Sequence, residues 1–311
     1  MTKRILKSNL HPRNKHRYGY DFDKLIQASP QLLKYIILTP ASRKSIDFSN
    51  DKSVKSLNAA LLKSHYDIDY WHLPEGFLCP PIPSRVDYIH FVADLISREN
   101  RGQIIEGKSI RILDIGTGAS CIYALLASKV YSWTVVASEY DQTALDSATH
   151  ILLKNGLSQS ISIIKQSDKS KILDNIIEKD DHYDVALCNP PFFSSEKEAQ
   201  AANQRKWRNL KKLGKAMENR NFGGQSSELW YEGGELAFVE KYIDESKKYC
   251  QQVVWFTTLV SKEERIYPLM KLLRQARAEE IEINDMSQGQ KKSRVLAWTF
   301  LNEKRRQKQY K

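Results

Sequence analysis

From Ile110 onward, short apolar runs alternate with stretches in which apolar residues recur every three or four positions. The runs predict buried strands and the three-to-four spacing predicts amphipathic helices. RILDI (111–115), WTVVASE (133–139), ISIIK (161–165), YDVALC (183–188) and QQVVWFTTLV (251–260) read as strands. CIYALLASKV, TALDSATHILLKN, ELAFVEKYIDES and RIYPLMKLLRQA read as the helices between or after them. Such alternation implies an α/β fold with a mainly parallel, doubly wound sheet. Two closing strands, near EEIEIN and RVLAWTFL, have no helix between them and predict an antiparallel hairpin at one sheet edge.

Upstream the pattern is weaker. Val54, Leu57, Leu61 and Leu62 share one helical face, and Val86, Ile89, Ala93 and Ile96 share another. Between them, the prolines of CPPIPSR (79–85) predict an extended path before the second helix. The expected organisation is a basic, mostly helical extension over 1–80 and a Rossmann-like domain over 81–311. A polar, basic insertion is expected near 194–234.

The first strand runs into Gly116-Thr117-Gly118-Ala119-Ser120-Cys121, which opens a helix. Gly116 and Gly118 let the backbone turn sharply and approach a ligand at the carboxyl end of the strand. Asp114 closes that strand, where a buried carboxylate needs an ammonium group or loop amides as partners. Glu139 ends the next strand, where an acid can accept hydrogen bonds from two ribose hydroxyls. A dinucleotide fingerprint would place a third glycine where Cys121 stands, and no GKS or GKT follows as in a phosphate-binding loop. Asp114 would repel a phosphate but suits a zwitterionic amino acid, so the loop points to S-adenosylmethionine. The hairpin ending also separates the methyltransferase variant of this architecture from the dehydrogenase variant. Asp168, after the third strand, is a candidate for holding the adenine and equally a candidate for a solvated loop acid.

Asn189-Pro190-Pro191-Phe192 directly follows strand YDVALC. An exocyclic amine is a poor nucleophile while its lone pair is delocalised into the ring. Two acceptors on its N–H groups localise that pair and aim it at a methyl donor. The Asn189 side-chain carbonyl and the Pro190 backbone carbonyl can be those acceptors. Pro191 stiffens the turn, and Phe192 offers a face for a planar base. Asn-Pro dipeptides also begin ordinary turns; following the Gly116 loop and Glu139 at sheet ends, this one reads as catalytic.

The net charge of +11 makes a polyanionic partner plausible. Lys15 and Arg17 lie in a basic opening, and Arg205, Lys206, Lys211, Lys212 and Lys215 lie in the insertion, with Trp207 among them. A third basic stretch is the tail, 303–311. Cations interleaved with aromatics suit RNA backbone and unstacked bases. Cys79, Cys121, Cys188 and Cys250 are far apart and read as buried reduced thiols. No metal-binding pattern, spanning segment or signal peptide is legible, so a cytoplasmic protein with neither metal nor membrane partner is expected.

With these residues in place, the chain resembles the large-subunit ribosomal RNA adenine-N6 methyltransferase F family. That family is related to the eukaryotic enzyme that methylates adenosine in U6 small nuclear RNA. The resemblance rests on HPRNKHRYGYDFDKL, CPPIPSRVDYIH, LDIGTGASCIY, CNPPFF, WYEGGELAFVEKYIDES and QGQKKSRVLAWTF, and spans nearly the whole chain. It implies methyl transfer from S-adenosylmethionine to an adenosine N6 of 23S ribosomal RNA or a large-subunit assembly intermediate. It also implies that Arg85 reaches the cofactor carboxylate or the active-site entrance. Protein glutamine-N5 and DNA adenine-N6 methylation are the alternatives. Phe192, where glutamine enzymes usually carry Tyr, argues against the first, and the lack of a target-reading domain argues against the second.

Overall fold

The computed structural model describes residues 9–199, 201, 229–288 and 291–310. Seven strands form one sheet: β3 (Arg111–Ile115), β4 (Thr134–Glu139), β5 (Ile161–Lys165), β6 (Tyr183–Cys188), β7 (Val253–Val260), β8 (Glu280–Gln288) and β9 (Lys291–Thr299). Their order is β5-β4-β3-β6-β7-β9-β8. The first five run parallel, β9 runs antiparallel to β7, and β8 pairs antiparallel with β9 at the edge. The sheet order reverses between β3 and β6, which leaves a crevice beyond their carboxyl ends.

Burial on both faces explains the continuous apolar runs of the central strands. On one face α3 (Ile82–Glu99), α4 (Ile122–Tyr131) and α5 (Gln142–Lys154) cover the sheet through Ile89, Leu125 and Ile151. On the other, α6 (Gly234–Ser246) and α7 (Ile266–Gln275) bring Val239, Tyr242 and Leu269 against Leu113, Phe256 and Trp298. There Phe256 and Trp298 stack at 5.7 Å, and Tyr242 meets Trp298 edge-on at 5.0 Å. Such aromatic pairs add about 0.5–1.5 kcal/mol each beyond area burial.

The amino-terminal part supplies α1 (Phe22–Ala28), a hairpin of β1 (Ile36–Leu38) and β2 (Lys44–Ile46), and α2 (Asp51–Tyr66). Its apolar residues Leu25, Leu32, Leu57 and Leu61 share one core with α3 and the sheet. Across the expected 80/81 boundary, Asn14 Nδ2 donates to Pro83 O at 2.8 Å. A segment before α1 is clamped onto α3: Arg13 and His11 both bond Asp94, while Asn14 and the His11 amide bond Asp87.

Two expectations change. The extended path predicted over 79–85 stops at Pro81, and α3 starts at Ile82 with Pro83 in its first turn. A proline is tolerated there because first-turn amides have no intrahelical acceptor. Arg85 therefore projects from a helix. The basic tail forms α8 (Glu303–Lys308), and its Arg306 is 4% exposed, paired with Glu99 at 2.6 Å and Glu280 at 2.5 Å. As a phosphate contact, Arg306 is ruled out by its burial.

Candidate active site

The carboxyl ends of β3, β4 and β6 surround a cavity of about 180 Å³. Gly116 and Gly118 line it with φ of +66° and +65°, the left-handed region that favours glycine. A Cβ at Gly116 would meet nothing within 4 Å, so the requirement there is conformational, and open space lies above the backbone. The loop is held from three sides. Thr117 N donates to Ser138 O at 3.0 Å, Trp71 Nε1 donates to Ser120 O at 3.1 Å, and Ser147 Oγ donates to Ala119 O at 3.0 Å.

Glu139 lines the cavity and organises the loop as well. Its Oε2 accepts from Gly118 N at 2.8 Å, and its Oε1 accepts from Tyr140 N at 2.8 Å and Asp141 N at 2.9 Å. An ionised carboxylate has about four acceptor positions, so three amides leave room for roughly one more donor. Burial raises its pKa above the ordinary value, and the amide bonds oppose that rise. Asp114 lies beneath the loop, outside the cavity lining. Its Oδ2 accepts from Thr117 Oγ1 at 2.7 Å, its Oδ1 is buried without a partner, and burial pushes its pKa up to about 7.

Arg85 reaches the cavity from α3 and is 9% exposed. It donates to Tyr123 Oη at 2.6 Å, yet its Nε is buried without a partner. Among the described residues no carboxylate pairs with it. A buried guanidinium in that state is costly, and a ligand carboxylate would satisfy it. Open glycine backbone, a carboxylate with spare acceptor capacity and this unpaired cation together fit the ribose and amino-acid ends of S-adenosylmethionine.

Asn189 and Pro191 form the wall of the cavity after β6, while Pro190 is buried behind them. The Asn189 Oδ1 is buried without a hydrogen-bond partner. On its other side a second cavity, about 50 Å³, is lined by Asn189, Phe192, Arg85, Ser261 and Met286. Asn189 thus stands between the glycine-loop cavity and the Phe192 cavity. The chain returns to the tetrapeptide at Leu229–Tyr231: Phe192 N and Phe193 N donate to Leu229 O at 3.1 and 3.0 Å, and Tyr231 N donates to Phe193 O at 3.0 Å. Gly233 and Gly234, both with positive φ, then turn the chain tightly into α6.

Gly116, Gly118, Glu139, Arg85, Asn189 and Pro191 are brought together; Asp168 is not among them. It sits on the loop after β5, bonded by the Ser170 amide at 2.8 Å, and Gln166 lines the cavity in its place. Gln166, Tyr123 and Lys169 are lining residues that sequence reasoning missed. Gln166 had a legible signal, since it follows a strand as Glu139 ends one. Lys169 lies 4.6 Å from the Trp230 ring centroid across the cavity, a pairing between residues far apart in the chain. Lys15 Nζ donates to His65 O at 3.0 Å, and Arg17 is half-buried beside Pro12, whose carbonyl it bonds at 3.4 Å. Arg205, Lys206, Lys211, Lys212 and Lys215 lie outside the described residues. All four cysteines are free, two of them fully buried and two half-buried, and burial pushes the Cys79 and Cys121 thiols up to about 12.

A methyltransferase sheet, a glycine loop shaped for S-adenosylmethionine and an Asn-Pro-Pro-Phe wall define an S-adenosylmethionine-dependent methyltransferase. The family described as RNA methyltransferase matches residues 4–302. The ribosomal RNA large subunit methyltransferase F of Pseudomonas savastanoi pv. phaseolicola is 50% identical over 305 residues, covering 96% of this chain and 92% of that protein. The enzyme of the same description from Stutzerimonas stutzeri is 48% identical, covering 95% and 91%. The chain belongs to this ribosomal RNA large subunit methyltransferase F family. Among solved structures, the human METTL16 catalytic domain in complex with a MAT2A 3′UTR hairpin superposes with a TM-score of 0.79 at 30% identity, covering 94% of this chain and 96% of that one. The amino-terminal domain of human METTL16 in complex with SAH gives 0.75 at 27% identity, covering 94% and 99%.

Proposed function

We infer that this enzyme methylates the exocyclic N6 amine of an adenosine in the 23S RNA of the large ribosomal subunit. The observation that carries the reading is the buried, unpartnered Asn189 Oδ1 between the two cavities. A buried acceptor without a partner is unfavourable alone and is satisfied by a donor brought by substrate. Asn189 Oδ1 and the Pro190 carbonyl would take the two N–H groups of the amine, which turns its lone pair toward the glycine-loop cavity. Phe192 lines the second cavity, where a base can lie against its ring. S-adenosylmethionine, when bound, supplies an electrophilic methyl group on a sulfonium leaving group. Arg85 would hold the cofactor carboxylate and Glu139 its ribose, so the protein contributes mainly alignment.

The choice of ribosomal RNA is supported by the names of the relatives and by the RNA hairpin in one similar structure. The strongly basic balance agrees with a polyanionic substrate. Lys15, Arg17 and the cations of 205–220 are the proposed backbone contacts. The test is transfer of a tritiated methyl group to separated ribosomal RNA, transfer RNA, DNA and protein fractions. Label in 23S RNA that digests to N6-methyladenosine is expected. Label confined to protein or DNA would overturn the reading.

A further inference from the structure

The β6–β7 ladder lapses before it reaches the active site. Its last pair is Ala186 with Phe256, whereas on the other side β6 stays paired with β3 through Cys188. Leu187 and Cys188, the residues that lead into Asn189, therefore lack a ladder partner on β7. Two buried hydroxyls fill the gap. Tyr88 Oη, from α3, accepts from Cys188 N at 3.4 Å and lies 2.8 Å from Thr257 Oγ1 of β7. Thr257 Oγ1 donates to Ala186 O at 3.1 Å. Each hydroxyl has one proton, so the ordering Cys188 amide to Tyr88, Tyr88 to Thr257, Thr257 to Ala186 carbonyl satisfies these three bonds. The longer contact of Tyr88 Oη with Cys188 O at 3.5 Å is the other acceptor open to the Tyr88 proton. The circuit begins and ends on β6 and closes around the strand end that carries Asn189.

We propose that Tyr88, acting with Thr257, is a positioning residue that aims Asn189 by holding the backbone of Cys188. The need is visible in Asn189 itself, whose Oδ1 has no partner that could fix its direction. Its direction therefore depends on the backbone that carries it into the tetrapeptide. Tyr88 is fully buried and lines neither cavity, so it touches neither ligand. It also packs edge-on against Tyr123 at 5.3 Å, and Tyr123 holds Arg85. One side chain of α3 thereby links the proposed cofactor anchor to the proposed amine acceptor.

The inference rests on the catalytic reading of Asn189, and the test separates the two. Tyr88→Phe keeps the ring and removes the hydroxyl; Thr257→Val removes its partner, and Thr257→Ser restores it. Small misplacements of an aligned group cost one to two orders of magnitude, so kcat is expected to fall about tenfold in Tyr88→Phe and Thr257→Val. The KM for S-adenosylmethionine and the calorimetric affinity for S-adenosylhomocysteine are expected to stay within about twofold. Thr257→Ser is expected to recover kcat. Tyr242→Phe, which removes a buried hydroxyl that meets Ala186 O at 3.4 Å and the Thr257 backbone but leaves the Tyr88 and Thr257 hydroxyls in place, serves as the control and is expected to leave kcat unchanged. Wild-type kcat in Tyr88→Phe, with Asn189→Ala inactive, overturns the positioning role and leaves the reading of Asn189 standing. Full turnover in Asn189→Ala removes that reading and the inference with it. Equal kcat losses in Tyr88→Phe and Tyr242→Phe, or a failure of Thr257→Ser to recover, reduce Tyr88 to a packing role and overturn the proposal.

Discussion

The Gly118 amide donates a 2.8 Å hydrogen bond to Glu139 Oε2, joining the glycine loop after β3 to the end of β4. Glu139 is thus a loop anchor as well as a candidate ribose acceptor. Glu139→Ala is expected to weaken S-adenosylmethionine binding ten- to a hundredfold, since charge-assisted bonds are worth roughly 1.5–3 kcal/mol. Calorimetry checks it, and an unchanged affinity would reject both roles.

Asn189→Ala is expected to keep cofactor affinity and lose on the order of 10²-fold or more in single-turnover rate, because it removes an acceptor aligned with the reacting amine. Rates within about threefold of wild type would sink the assignment.

Burial holds the Asp114 carboxyl near pH 7, against about 3.9 for a free side chain. Between those values the folded cofactor-free protein keeps a proton that the unfolded chain has released. This contribution to stability is therefore full below about pH 4, declines as pH rises, and is gone above about pH 7. Asp114→Asn, which still accepts from Thr117, is expected to reduce the loss of thermal stability between about pH 4 and 7. Glu139, Asp184 and Asp87, also raised by burial, add slope of the same sign, and His90 and His65, lowered by burial, oppose it below about pH 6.5 in both proteins. Parallel melting-temperature profiles for the two proteins would remove Asp114 as the titrating group.

Arg306→Ala should unfold more easily, by roughly 3–5 kcal/mol, because it leaves the Glu99 carboxylate buried and unpaired. Its RNA affinity, measured below the melting transition, should show an unchanged salt slope. Denaturant titration checks the first statement, and a flattened slope would contradict the second.

The insertion leaves the tetrapeptide at Phe193 and returns to it at Leu229, whose backbones pair. Replacing Lys211, Lys212 and Lys215 with Gln is expected to flatten the log–log salt dependence of RNA affinity by about 2 if all three meet phosphate. Cofactor affinity should not move. An identical slope for the triple mutant would transfer the RNA contact to the amino-terminal segment around Lys15 and Arg17.

What the chain determined by itself is local in sequence. Strands β3 to β7 and their helices follow from apolar periodicity, and β8 and β9 from the lack of a helix between them. The glycine loop, Glu139 and Asn189-Pro190-Pro191-Phe192 are legible because each stands where a strand ends, and strand ends converge in a doubly wound sheet. The short β1–β2 hairpin escaped notice because three-residue strands have too little periodicity to register.

Only the tertiary structure decided which side chains share the cavity and which cations are buried. Arg306 reads as one more charge in a basic tail, yet its partner Glu99 lies 207 residues away. Asp168 reads like Glu139, but a backbone turn directs its carboxylate onto Ser170, and Gln166 faces the cavity. Tyr88, in sequence an apolar-face residue of α3, gains its role from a gap between β6 and β7. Side-chain chemistry is written residue by residue, whereas desolvation and hydrogen-bond partners are set by contacts between distant segments. Those contacts exist only once the chain has folded.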